Sequence, residues 1–402
     1  MIQKTYSKWV VLLCFALAAG MSQLLWLNFA PLLSQIEGLF NVPESKASLL
    51  ILVFPFIYVL LSIHAGSLTD RKGYRYTLVL GSLIMAAFSC LRIYTLSFYL
   101  LLLAQVGIAV AQPYVVNSIS KLVLDWFQKD QEAIATGLGT MGMFIGMALG
   151  MAITPPLFEE LGLAKTMFVF SVMAWVVFFL CLFFVQPNPD SKSETELPEK
   201  FSAHFSKVIR NRELLYVFAI AFMGLGYFNG LTTWLEPILA PNGINSIQAG
   251  IIGGVLILGG IVGSAIIPAF SDKMKQRKPL LLLCLIIAGL SVYPLTLSHS
   301  YSLTLAVAAV QGFFMLPSFA LLLEMCAELS GPKLVGAATG ILMLSGNAGG
   351  VIVILAMEWI KGDMPTFTRS IHLLVGILAL SLGLALRLKE TFAPVSRATH
   401  SA

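Results

Sequence analysis

Twelve apolar runs, most of about 20 residues, follow one another along 402 residues. A run of that length is what an α-helix needs to cross the hydrocarbon core of a bilayer. Inside lipid, every backbone N–H and C=O must find its partner within the segment, so helices are the natural form for such runs. The runs lie at 8–28, 47–68, 77–95, 98–120, 133–156, 163–186, 213–239, 247–270, 279–297, 302–326, 334–360 and 367–388. Only 11% of residues are charged, against about 25% in an ordinary soluble domain.

Threading the chain through twelve spans sorts its charges. Of 25 Lys and Arg residues, only Lys46, Arg92, Lys165, Lys361 and Arg369 fall on one side, which leaves 25 − 5 = 20 on the other. Cytoplasmic segments carry such an excess, so both termini are expected in the cytoplasm. The net charge of +5 therefore reflects topology, and no nucleic-acid partner is expected. The first run is too long for a cleavable signal and has no small-residue cleavage site after it. Cys14, Cys90, Cys181, Cys284 and Cys326 lie in or at the ends of spans without CxxC spacing, as small packing residues do. The chain has no Asn-x-Ser/Thr sequon and has short loops. These traits suit a multi-pass protein of a bacterial inner membrane.

Residues 187–212 form the longest polar stretch, with Pro187, Pro189 and a Ser/Glu/Lys-rich run. They read as a linker between an N-terminal bundle, 1–186, and a C-terminal bundle, 213–402. Phe201 to Arg212 has the pattern of a short amphipathic surface helix. The two halves repeat each other. Asp70-Arg71 after span 2 matches Asp272-Lys273 after span 8, an offset of 272 − 70 = 202. Gln112 and Asp125 are 125 − 112 = 13 apart, and so are Gln311 and Glu324, 324 − 311 = 13. Paired halves around a central site are the plan of secondary transporters.

The loop after span 2 reads Gly66-x3-Asp70-Arg71-x-Gly73-x-Arg75. Gly66 would let helices approach closely, and Asp70 would accept hydrogen bonds at a helix N-terminus. Arg71 and Arg75 would pair with acids at the cytoplasmic ends of other spans, with Asp125 and Glu324 as candidates. Such a charge lock, with Asp272 as its counterpart in the second half, would close a cytoplasmic gate. Ordinary flanking charge is the plainer alternative.

No Asp, Glu, Lys or Arg falls at mid-span. Intramembrane charge usually marks a proton relay or ion path, so none is visible. His64 and His372 fit packing better than proton transfer. Aromatics and amides remain at mid-membrane: Gln23, Trp26 and Asn28 in span 1, and Gln112, Tyr114 and Asn117 in span 4. Span 7 adds Tyr227, Phe228, Asn229 and Trp234, and span 11 adds Asn347. Aromatic faces hold organic cations without a carboxylate, and amides orient hydroxyls and amines. Each aromatic taken singly fits a packing role as well. Gly137, Gly139, Gly142, Gly146 and Gly150 in span 5 favour tight helix contact.

The loop pattern resembles the signature of the major facilitator superfamily. A narrower likeness joins Lys8-Trp9-Val10-Val11-Leu12-Leu13 with Trp26, Ala111-Gln112 with Ser120-Lys121-Leu122 and Trp126-Phe127, Gly312-Phe313-Phe314-Met315 with Glu324 and Glu328, and Thr339-Gly340 with Asn347. These resemble the feline leukaemia virus subgroup C receptor-related (FLVCR) transporters. The resemblance implies an all-α membrane fold, twelve transmembrane helices in two six-helix bundles. It also implies a cage for a choline-like ammonium from Trp26 and Phe228 or Tyr227, with Gln112 and Asn347 nearby. Gln23 and Asn229, read from the mid-span amides and not from the resemblance, are added as candidate binding residues. The chain departs from the family at span 7, with Phe for Tyr, and at span 11, with Asn for Gln. It also lacks the Gly-Pro pair of the antiporter motif in span 5.

We therefore expect a monomeric transporter, not an enzyme, that moves a small organic cation or amino alcohol by facilitated diffusion without a cofactor. Two alternatives stand beside it. One is proton-linked transport of a vitamin-like, haem-like or drug-like solute. The other is a non-transporting sensor on the same fold.

Overall fold

The computed structural model describes residues 7–188, 207–331 and 334–392. Its helices are α1 (Lys8–Leu27), α2 (Leu33–Phe40), α3 (Glu44–Lys72), α4 (Tyr74–Leu91), α5 (Phe98–Val116), α6 (Ser118–Trp126) and α7 (Glu132–Phe184), then α8 (Arg212–Leu239), α9 (Ser246–Met274), α10 (Lys278–Leu297), α11 (Tyr301–Ser330), α12 (Val335–Lys361) and α13 (Thr368–Arg387). No strand interrupts them among the described residues.

Eleven helical stretches are long and apolar enough to cross a membrane. The sequence had marked twelve. The difference lies in α7, where the runs 133–156 and 163–186 form one element of 53 residues. At 1.5 Å per residue a straight helix of that length would measure about 80 Å, well over twice the hydrocarbon core. It is not straight. Gly162 has φ 76 and ψ 168 inside it, a conformation open to glycine and costly for residues with a Cβ. Gly139 packs against Phe15 of α1, while Cys181 donates to the Cys14 carbonyl at 3.6 Å. Residues 162 − 139 = 23 before the break and 181 − 162 = 19 after it therefore reach one level of α1. The two arms run in opposite directions. The expected loop at 157–162 is helical up to this one glycine.

Helix ends follow local chemistry. Ser97, Asn211, Asn245 and Ser300 each accept a backbone N–H of the first turn, which satisfies donors the helix leaves unpaired. Asn245 and Gln248 complete a reciprocal capping box.

Helices α1 to α7 pack mainly on one another, as do α8 to α13. The repeat is visible in backbone contacts between small residues. A Cβ on Gly146 would stand 1.9 Å from the Gly20 carbonyl oxygen, and one on Gly226 would stand 3.0 Å from that of Gly349. The offsets are 226 − 20 = 206 and 349 − 146 = 203. Four of the five span 5 glycines pack closely as expected: Gly142, Gly146 and Gly150 on the α1 backbone and Gly139 on side chains. Gly137 faces open space. Between the halves, α7 meets α9 and α3 meets α12. Gly250 and Gly253 lie against Met151, and Gly254 lies against Ala148 and Ala152.

Of the 187–212 linker, residues 189–206 lie outside the described residues. The first six positions of the expected amphipathic helix, 201–206, lie there too. Residues 207–210 make a short turn, and Asn211 then caps α8. Below, the end of the bundle holding Lys8 and Arg387 is the terminal face, and the opposite end is the far face.

Candidate functional site

At the terminal face of the second half, Arg277 is the centre of the charges. It lies in the turn between α9 and α10, with its side chain only 7% exposed. It pairs with Asp272 at 2.7 Å, Glu324 at 2.8 Å and Glu328 at 3.2 Å. It also donates to Ser271 Oγ at 3.0 Å. Burial pulls its pKa down, but Glu324, Asp272 and Glu328 more than offset this and hold it above its ordinary value. The segment after α13 closes over the cluster. Glu390 accepts the backbone N–H groups of Arg277 and Lys278 at 2.8 and 3.0 Å. Thr391 donates to Glu328 at 2.5 Å, and the Phe392 ring lies 5.1 Å from the guanidinium. Partial burial raises the Glu390 carboxyl, but the N–H groups it accepts outweigh that and hold it below the usual carboxylate range.

Asp272 and Glu324 thus meet in one cluster. Glu324 pairs with Arg277, rather than with Arg71 or Arg75 as the sequence allowed. Arg277 stands where Arg75 stands in the first half, at the same offset, 277 − 75 = 202. The first half differs in detail. Asp70, Arg71 and Arg75 are exposed and line one surface cavity with Asp125. The bond between α3 and α4 across this loop runs from Thr69 to Thr77, 3.1 Å, and not through Asp70. Gly66 has open space around its Cβ position, so it makes no close helix approach. Gly73, at φ 82, ends α3 and starts α4, which is why a residue free of Cβ strain belongs there. His64 is exposed and lies edge-on to Tyr114 at 6.1 Å.

The mid-span residues divide by what they touch. Trp26 is 7% exposed, donates Nε1–H to the Ile51 carbonyl at 3.1 Å and stacks on Phe54 at 6.1 Å. Gln112 is buried. Gln23 and Asn229, both 2% exposed, each leave an amide oxygen without a partner. Asn28 and Thr233 are buried and unpartnered beside them in sequence. Buried polar atoms are normally satisfied, so this group of unmet side chains stands out within the spans. Tyr227 is fully buried, and its hydroxyl accepts from Gln311 at 2.5 Å. Gln311 in turn accepts from Ser291. That chain ties Tyr227 to α11 and α10, whereas Phe228 is half-buried. Asn347 is half-buried and donates to the Met343 carbonyl of its own helix at 2.9 Å. Asn117, bonded to Tyr58 and Ser62, joins α5 to α3. Trp234, on the Ile354 carbonyl and Phe367, joins α8 to α12 and the turn before α13. The aromatic rings do not close on each other: Trp26 meets Phe54 of its own half.

A third cluster gave no motif in the sequence. At the far face Ser34 donates to Glu236 through its N–H at 3.3 Å and its hydroxyl at 2.9 Å. Ser246 donates to the other Glu236 oxygen at 3.5 Å and accepts from Gln35. Lys361 pairs with Glu44 and lies 4.5 Å from the Phe367 ring centre. Arg92, also at this face, stands 4.7 Å over the Phe29 ring. Three hydrogen bonds and one ion pair join the two halves here. The only trace of this latch in the sequence was a set of charges at span ends.

A pair of helical halves latched at one end, with charge clusters at the other and unpartnered amides between, defines a membrane carrier rather than an enzyme. The chain belongs to the Major Facilitator Superfamily: that family's model matches residues 11–352 and 236–401. It is 23% identical to the choline/ethanolamine transporter flvcr2a of Danio rerio, over 92% of this chain and 84% of that one. It is 27% identical to the choline/ethanolamine transporter FLVCR1 of Felis catus, over 92% of this chain and 70% of that one. In fold it is similar to a bacterial homologue of the human lysosomal transporter Spinster, whose structure is described as inward-facing and unoccupied. The TM-score is 0.71 at 15% identity, covering 96% of this chain and 97% of that one.

Proposed function

We propose that this transporter carries a choline-like organic cation or amino alcohol by alternating access and facilitated diffusion. The observation that carries the reading is similarity, over 92% of this chain, to two relatives named choline/ethanolamine transporters. The belt around Trp26 agrees chemically. An indole face attracts a quaternary ammonium, and the free amide oxygens of Gln23 and Asn229 would accept from a hydroxyl or ammonium. Gln112, Phe228, Tyr227 and Asn347 complete the proposed belt.

Twelve crossings, six per half, fit this reading, with the opposed arms of α7 counted as two. The bundles are then 1–186 and 213–402, joined through 187–212. With both termini cytoplasmic, the far-face latch closes the outside, so the carrier faces inward. Asp70, Arg71, Gly73, Arg75 and Asp125, with Asp272 and Glu324 in the second half, act as the cytoplasmic gate when it swings outward. We place the protein, as a monomer, in a bacterial inner membrane.

Titration calorimetry on the purified protein tests the cage. Trp26→Ala should weaken choline binding by about 2 kcal/mol, roughly 30-fold. It should weaken binding of the neutral isostere 3,3-dimethylbutanol less. Equal losses for both ligands, or no loss in a variant that folds, would remove Trp26 from the site. Glu236 favours a second reading, proton-linked transport. It is a carboxylate 3% exposed that opening the far face would bathe in water. A protonophore that abolishes uptake into vesicles with no other energy source would decide for it.

A further inference from the structure

On the terminal face the first half carries a cavity of about 760 Å³. It lies between the α3–α4 turn, α6 and the exit of α7. Four basic side chains line it, Arg71, Lys72, Arg75 and Lys121, against two acids, Asp70 and Asp125, a balance of 4 − 2 = +2. Lys72 is held over the Tyr76 ring at 4.6 Å. The floor is of another kind: Val79, Leu80, Leu83 and Leu182. Tyr76, Leu80 and Leu83 share one face of α4, at spacings of 4 and 3 residues. Tyr76 and Leu83 are 43% and 39% exposed, on a helix apolar enough to cross the membrane. From Arg75 to Leu83 is 83 − 75 = 8 residues, or about 12 Å along the helix. The cavity therefore has a cationic rim and an apolar floor running toward bilayer depth.

We propose that this cavity binds an anionic phospholipid of the leaflet at the terminal face. The phosphate would lie among Arg75, Lys121 and Lys72, and an acyl chain along Leu80, Leu83 and Leu182. Basic pockets at this level of a membrane protein recognise anionic head groups. The floor selects a lipid over a soluble anion, because free phosphate would leave it uncovered. Arg71 and Arg75 also belong to the proposed gate, so a bound lipid would bear on gating. The proposal holds whatever solute is carried.

Native mass spectrometry of delipidated protein tests it, with phosphatidylglycerol, phosphatidylcholine and glycerol 3-phosphate as probes. Wild type should retain phosphatidylglycerol in preference to phosphatidylcholine, and glycerol 3-phosphate should not displace it. Lys72→Gln with Lys121→Gln should weaken retention roughly 30-fold, or about 2 kcal/mol at about one per basic residue. Lys72→Arg with Lys121→Arg should keep it. Leu80→Gln with Leu83→Gln should weaken it with the rim intact. Equal retention of the two lipids by wild type overturns the proposal, and so does unchanged retention in the Gln pair. Displacement by glycerol 3-phosphate at lipid-like concentrations overturns it in favour of a soluble-anion site. If the Gln pair fails to fold, the wild-type comparison decides alone.

Discussion

Arg277→Gln should be the most damaging single change at the terminal face. It takes one cation from three carboxylates at 2.7, 2.8 and 3.2 Å. Removing one partner of a fully buried pair costs about 3–5 kcal/mol, and of an exposed pair about 0–1. Arg277 is 7% exposed here, but Glu324 and Glu328 are 33% and 26% exposed and Asp272 is 59% exposed. The cost therefore falls between these limits, at about 2–3 kcal/mol. The described second half, 212–392, has 392 − 212 + 1 = 181 residues less the two at 332–333. At about 2–4 °C per kcal/mol for a unit of this size, Tm should fall by roughly 4–12 °C. Tryptophan fluorescence of the detergent-purified protein reads this. Glu324→Gln added to Arg277→Gln should recover part of the loss by removing a stranded, like-charged neighbour. A single variant melting with wild type, or a double variant whose losses simply add, would refute the cluster as a coupled unit.

Glu390→Gln should lower stability at neutral pH and matter less in acid. The folded pKa of Glu390 lies below its unfolded value, so its contribution is present above the unfolded pKa and is lost as pH falls through the folded one; melting curves across that window check the sign. Gly146→Ala should destabilise by about 1–3 kcal/mol through overpacking, because its Cβ would meet the Gly20 carbonyl at 1.9 Å, while Gly137→Ala, in open space, should be neutral or better. Lys361→Ala with Glu236→Gln should unlatch the far face. Spin labels at Leu39 and Trp359, exposed on opposite halves, should then show a longer distance in a larger share of molecules, and an unchanged distribution would count against the latch.

Much of the fold was legible because lipid leaves few choices. The apolar run 213–239 became a helix at 212–239, and 279–297 one at 278–297. The break between spans 5 and 6 was legible at 157–162, but its form was not: Leu157 to Leu161 continue the helix through Glu159 and Glu160, and the turn falls on Gly162 alone, at φ 76. The terminal-face acids were legible through their repeat spacing. Their partner was not, since Arg277 was one of several bases in a run and only packing selects it. Tyr227 fitted a cage by type and by resemblance, but its bond to Gln311 ties it to α11. The far-face latch has no periodic signature: Ser34, Gln35 and Ser246 are ordinary loop-proximal residues until two halves meet.

Counterflow in proteoliposomes tests the central claim most directly. Vesicles holding the purified protein are loaded with unlabelled choline and diluted into labelled choline, with no ion gradient and a protonophore present. A facilitated-diffusion carrier predicts transient accumulation of label above equilibrium in wild type. Trp26→Ala should strongly reduce it at low choline, and no accumulation should occur in protein-free vesicles. Wild-type vesicles that accumulate no label, although the protein in them is folded and oriented, would contradict the account.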